Sequence, residues 1–202
     1  MEECMKYNLS EISELIRNRR SIAPEKYTSR KVHKEIISNV LQNATWAPTH
    51  GMTQPWRFKV YMEEGLKKLS RDLPEFYKNA SPADKFSPSK YERFKERPLQ
   101  VSVIIMVCMV REPEKKVAEI EEIEAVACAV QNMHLTCTAY GLGAFWSSPG
   151  FIYKPEFTQY LGLNPDDKCL GIFYMGYPEG EWPKSHRKPL EYVTDWVMED
   201  NG

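Results

Sequence analysis

Long apolar runs are scarce in this chain. The longest, "VIIMVCMV" at 103–110, falls far short of the ~20 residues that cross a bilayer as a helix, so it reads as a buried strand. The opening stretch "MEECMKYNLSEISELIRNRR" has no apolar core of the kind a secretion signal needs. Neither GxGxxG nor a Walker sequence occurs, which removes the usual nucleotide cradles. GxSxG and a Cys-His nucleophile motif are also missing. The five cysteines (Cys4, Cys108, Cys128, Cys137, Cys169) are odd in number and form no CxxC pair. Three of them sit in apolar stretches, where a free thiol behaves as a small hydrophobe, and a reduced, cytoplasmic setting is the simplest expectation. His33, His50, His134 and His186 have no companions at metal-ligand spacing, so no metal site is expected. A formal charge of −1 offers no overall attraction to nucleic acid or to an anionic membrane.

What is present is the composition of a globular domain. The 202 residues are 42% hydrophobic and 27% charged, enough for one domain with a substantial core over 1–202. Asn8 and Glu11 have capping-box spacing, and Leu9, Ile12, Leu15 and Ile16 make an apolar stripe, predicting a helix over 8–20. Similar stripes predict helices over 32–46, 63–80 and 154–161. Strands are predicted over 56–62, 100–110, 143–147 and 169–176. The helix over 118–140 is apolar all round at its middle, "AVACAV", which places it in the centre of the fold, and Gly141 should end it as a left-handed cap. Residues 81–98, rich in Pro, Ser and charge, read as a mobile, partly helical excursion and candidate lid. From Glu179 the chain is a Pro- and charge-rich tail. Helices first, then strands interleaved with helices, predict an α+β fold with helices against a mixed, mainly antiparallel sheet.

Four stretches could carry chemistry. "NRRS" (18–21) either complements a helix C-terminus or converges two guanidiniums and a hydroxyl on a phosphate. "SHRKPL" (185–190) is a solvated turn or a second arm on the same anion. "GLGAFWSSPGF" (141–151) is a tight helix-to-strand turn, or a place where backbone approaches a ligand closely beside Trp146, Ser147 and Ser148. "APTHGMTQPWRFKVY" (47–61) sets Thr49, His50 and Gln54 between a helix ended by Pro48 and a strand starting near Trp56. With no acid-base dyad in view, a cofactor would have to bring any redox chemistry.

Taken together, "RRS", "APTHGMTQPWRFKVY", "GLGAFW", "LGLNPDDKCLGIFYMGYP" and "RKPLEYVTDW" resemble the nitroreductase family of FMN-dependent enzymes, in an order and spacing that cover nearly the whole chain. The resemblance implies an intertwined homodimer with FMN at the subunit interface and NADH or NADPH as electron donor. Arg19, Arg20 and Ser21 would hold the phosphate and the polar edge of the ring, and Arg187 would close on the phosphate. Trp146, Ser147 and Ser148 would line the flavin. Thr49, His50 and Gln54, joined by Trp46, would reach the flavin held mainly by the other subunit, and the tail over 179–202 would pack on that subunit. The implied reaction is ping-pong reduction of a small electron-poor acceptor such as a nitroaromatic, a quinone or an activated alkene. Alternatives on the same fold are a non-catalytic flavin-binding sensor and reductive dehalogenation. The sequence departs from the family where a basic residue commonly follows the RRS serine by two positions; here that residue is Ala23.

Overall fold

The computed structural model describes residues 7–198; Cys4 and the last residues of the tail lie outside this range. Strands β1 (Trp56–Tyr61), β2 (Val103–Met109), β3 (Gly143–Ser147) and β4 (Lys168–Gly176) form one sheet in the order β1-β2-β4-β3, every neighbouring pair antiparallel. Among the described residues the parallel pairing is a single bridge between Ser21 and Ala144, at the outer edge of β3.

β2 shows why its sequence does not alternate. Val103, Ile105, Val107 and Met109 face one core with helices α2 (Lys34–Ala44) and α5 (Glu119–Ala139), while Ile104, Met106 and Cys108 face a second core with α3 (Glu64–Ala80) and α6 (Pro155–Tyr160). A central strand covered on both faces must be apolar at every position. The architecture is therefore α+β, a sheet sandwiched between two helical layers.

Helix ends follow local chemistry. α1 (Leu9–Asn18) is capped by Asn8, whose side-chain oxygen accepts from the backbone N–H groups of Ser10 (3.1 Å) and Glu11 (3.3 Å). α5 closes in a Schellman turn: Leu142 N–H reaches Cys137 O (2.8 Å), Gly141 N–H reaches Thr138 O (3.0 Å), and Gly141 takes φ +68°. α5 is central, packed on the sheet, α1 and α2, but a single chain does not enclose it on every side. Ala125, Val126, Ala129 and Val130 are buried, but Glu124, Cys128 and Gln131 form an exposed stripe at i, i+4 and i+7, since only part of the helix girth lies on the sheet and α2.

The segment 81–98 contains a helix, α4 (Pro88–Glu96). It packs on α3 through aromatic side chains. Phe94 lies 5.3 Å from Tyr77 and 5.1 Å from Phe151 between ring centres, and the Tyr77 hydroxyl accepts from Ser87 N–H.

Candidate functional site

α1 ends at Asn18, and the chain then straightens so that Ser21 can pair with the edge of β3, with Ile22 N–H donating to Ala144 O (2.9 Å). Tyr27 locks this junction. Its hydroxyl donates to Ile22 O (2.7 Å), and its ring lies flat on the register partners Gly143 and Gly176. A Cβ at either glycine would come within 2.6 Å of that ring, so the close approach foreseen at "GLG" is made by Tyr27. Arg19, Ser21 and the Trp146-Ser147-Ser148 stretch are thereby held at one sheet edge.

The tail folds back onto the same place. Trp182 Nε1 donates to Asn18 O (2.6 Å), and Arg20 donates from Nε to Pro183 O (2.8 Å) and from Nη1 to Arg17 O (2.5 Å) and Arg19 O (2.8 Å). Both side chains satisfy carbonyls at the α1 C-terminus that the helix leaves unpaired. Arg20 is thus a staple between α1 and the tail, with two of its nitrogens already engaged on backbone. The staple brings Ser185, His186 and Arg187 alongside Arg17, Arg19 and Gln131 around a cavity of 530 Å³. Among the described residues none of Arg17, Arg19, Arg20 and Arg187 pairs with a carboxylate. Burial first, then the charges of Arg187 and Arg20, lower the proton affinity of Arg19. Guanidiniums gathered without a counter-charge repel one another, and an anion in the cavity would relieve that repulsion.

The 47–55 loop is unusually strained. Gly51, Met52 and Gln54 all have left-handed backbone (φ +57°, +53° and +46°), a conformation uncommon for the latter two. Thr49 Oγ1 stabilises the turn by accepting from Gln54 N–H (3.2 Å) and contacting Thr53 Oγ1 (3.2 Å). His50 Nδ1 is 2.7 Å from Glu121 Oε2 in the first turn of α5. The Gln54 side chain is exposed, and so is the Trp46 indole (79%) just after α2. Within one chain this loop does not meet the arginine cavity. Glu121 and Gln131 are ten residues apart on α5, or about 15 Å along its axis.

Trp146 lies across Gly171 on the α5 face of the sheet, where a Cβ on Gly171 would meet the indole at 1.9 Å. Ser147 points to the opposite face and Ser148 is exposed. Sequence reasoning missed two residues here. Gln131, a lone amide on the exposed stripe of α5, lines the arginine cavity. His134 is buried behind it, edge-on to Phe173 (4.9 Å), with Nδ1 unpartnered. Burial, and then the Arg19 charge, push its pKa down to about 4. Among the described residues no cluster of His, Cys, Asp and Glu could hold a metal ion, and no helix is long and apolar enough to cross a membrane.

Helices on both faces of a four-stranded antiparallel sheet make a nitroreductase-like fold. A solved nitroreductase-like protein from Bacillus cereus superposes with a TM-score of 0.80 at 28% identity, covering 98% of this chain and all of that one. The chain belongs to the Nitroreductase family, which it matches over residues 16–177. YfhC of Bacillus subtilis, named for NAD(P)H nitroreductase activity, is 30% identical over 182 residues, covering 90% of this chain and 91% of YfhC. A Desulfovibrio desulfuricans nitroreductase solved in complex with FMN has a TM-score of 0.69 at 25% identity, covering 96% of this chain and 100% of that one.

Proposed function

We propose that this chain is an FMN-dependent oxidoreductase that takes electrons from NADH or NADPH and passes them to a small electron-poor acceptor, such as a nitroaromatic, a quinone or an activated alkene, in ping-pong fashion. The observation that carries the reading is the Arg19–Arg187 pair, which has no carboxylate partner among the described residues and is joined through Ser21 to the Trp146–Ser148 edge. These residues suit a phosphate and a flat, polar-edged ring. Bound FMN would supply the two-electron chemistry. Arg19 and Arg187 would neutralise its phosphate, and Ser21, with Oγ 3.5 Å from Arg19 Nη1, would keep that guanidinium turned toward the anion. Trp146, Ser147 and Ser148 would line the ring. Arg20 holds the tail so that Arg187 is in place.

The site is completed by a second copy. α1 buries none of its residues, leaving Leu9, Ile12 and Ile16 exposed, and the tail from Leu190 to Met198 presents Leu190, Tyr192, Val193, Trp196, Val197 and Met198 to solvent. Apolar surface on this scale marks an interface. An intertwined homodimer would cover it and carry Trp46, Thr49, His50 and Gln54 of one chain to the flavin of the other. With Ala23 in place of a basic residue, and Arg20 tied to backbone, the ring's polar edge gains little positive charge from this segment.

The test is the absorption spectrum of purified protein, followed by FMN titration and anaerobic addition of NADH or NADPH. A bound oxidised flavin with a band near ~450 nm, bleached promptly by either donor, is the expected result. Flavin that binds but is not bleached identifies a non-catalytic binder. Failure to bind added FMN refutes the reading. Acceptor products, including any dehalogenation, then define the reaction.

A further inference from the structure

A second cavity, of 540 Å³, lies between α3, α4 and the loop that follows β3. Its lining includes Lys90, Arg93, Arg97 and Lys154 but no Asp or Glu. Its floor is aromatic: Tyr77, Phe94 and Phe151 meet there, Phe94 edge-on to Phe151 at 75°. The cations are not equivalent. Arg97 is pinned by Glu25 (2.7 Å) and lies over the Phe145 ring, and Arg93 also feels the Glu25 charge. Lys90 and Lys154, in contrast, pair with no carboxylate among the described residues. Nearby lysines on the same two helices do: Lys67 with Glu64, Lys68 with Asp72, and Lys95 with Glu92. Lys78 on α3 is also without an ion pair among the described residues but lies outside the cavity lining, so the unpaired ammonium groups that line the cavity are those of Lys90 and Lys154. One comes from α4 and the other from the residue just before α6.

Ser147, which the flavin reading places beside the ring, lines this cavity from the sheet face opposite Trp146. Resting on the flavin reading above, we propose that this cavity binds a planar aromatic carboxylate, and that the electron acceptor belongs to that class. The floor offers edge-to-face contact to a ring, the two lysines offer charge-assisted hydrogen bonds to a carboxylate, and the volume suits a fused two-ring acid. α4, expected from sequence to be a lid, is then the wall that reads the ligand's charge.

The test compares 2-naphthoate with 2-naphthamide, which share shape but differ in charge, by calorimetric titration of the purified protein at low ionic strength. The acid should bind about tenfold or more tighter than the amide, the scale of one or two charge-assisted contacts, and the preference should shrink with salt. In the double variant Lys90→Gln/Lys154→Gln the acid-to-amide ratio should fall to about threefold or less. The variant Lys67→Gln/Lys116→Gln, with the same change in net charge away from the cavity, should keep the wild-type ratio. Equal binding of acid and amide by the FMN-loaded wild type, or a preference that survives the Lys90/Lys154 change, overturns the proposal. A protein that binds naphthoate in this charge-dependent way but fails to take up FMN refutes the flavin reading while leaving the carboxylate site standing.

Discussion

Arg19 and Arg187 line one cavity, where burial and then the charge of Arg187 lower the proton affinity of Arg19, and among the described residues neither is paired with a carboxylate. Folding therefore assembles a repulsive pair that costs stability until an anion arrives. Each contact to a phosphate should contribute roughly 1.5–3 kcal/mol, about a tenfold to hundredfold change in affinity. Arg19→Ala and Arg187→Ala should each weaken FMN binding on that scale while the double change costs less than their sum, because both grip one group. Lys188→Ala, at an exposed neighbour, should do little. Flavin titration of the apo-variants decides; unchanged affinity in both arginine variants would place the phosphate elsewhere.

Tyr27 ties the arginine segment to the sheet through glycine. Gly176→Ala would drive a methyl to 2.6 Å from the Tyr27 ring, which is trapped between its hydrogen bond to Ile22 and the sheet. Overpacking of this kind costs about 1–3 kcal/mol. Urea unfolding should show that loss, and FMN affinity should fall with it because Ser21 moves with Ile22. Wild-type stability and affinity in this variant would mean that the junction is slack.

Glu122 and Glu121 are adjacent and should behave oppositely. Glu122 is buried, pairs with Arg111 and accepts from Glu112 N–H (3.0 Å). Removing it strands a nearly buried guanidinium, so Glu122→Ala should cost about 3–5 kcal/mol. Glu121 meets His50 at a largely exposed site, where pairs contribute about 0–1 kcal/mol. Glu121→Ala should barely change stability, yet should loosen the 47–55 loop. Comparing the two denaturation midpoints with the two flavin affinities separates the roles.

His134 makes stability depend on pH. Its pKa is about 4 when folded against an ordinary 6.5, so between those values the unfolded chain binds more protons than the folded one. Stability from this group is complete above the unfolded pKa and is lost as pH falls from about 6.5 to about 4, by at most roughly 3 kcal/mol. His134→Gln should flatten that part of the profile. Equal slopes for wild type and variant between pH 7 and 4 would show that the imidazole is not the group responsible.

Much of this was legible because its causes are local. The Asn8 cap, the Gly141 turn and the apolar stripes of α2 and α3 depend on residues within a turn or two of each other. The unbroken run of β2 signalled a buried strand. Other features arise from distant partners. Arg20 reaches a carbonyl 163 positions away, so its role as a staple could not be told from that of its neighbour Arg19. The order of α4 rests on Phe94 meeting Tyr77 and Phe151, contacts that a Pro- and charge-rich composition hides. The exposed stripe of α5 was masked because Cys128 looks as apolar in sequence as the buried alanines beside it.

The apolar surface left by a single chain leads to the remaining prediction. Leu9, Ile12 and Ile16 on α1 and Leu190, Tyr192, Val193, Trp196, Val197 and Met198 on the tail are all 40% or more exposed. Fully covering one such side chain contributes about 1.5–3 kcal/mol, far more than a marginally stable chain can leave unused, although association costs absorb part of it. Wild-type protein should therefore be a dimer by light scattering at micromolar concentration. Ile12→Asp/Ile16→Asp should dissociate it, because a carboxylate placed in an apolar seam is desolvated without a partner. FMN affinity should fall in the same variant even though neither residue belongs to the arginine cavity, since Thr49, His50 and Gln54 can reach that flavin only from the partner. A wild-type monomer that holds FMN tightly would sink both the dimer and the assignment of those three residues, while leaving Arg19, Ser21 and Arg187 in place.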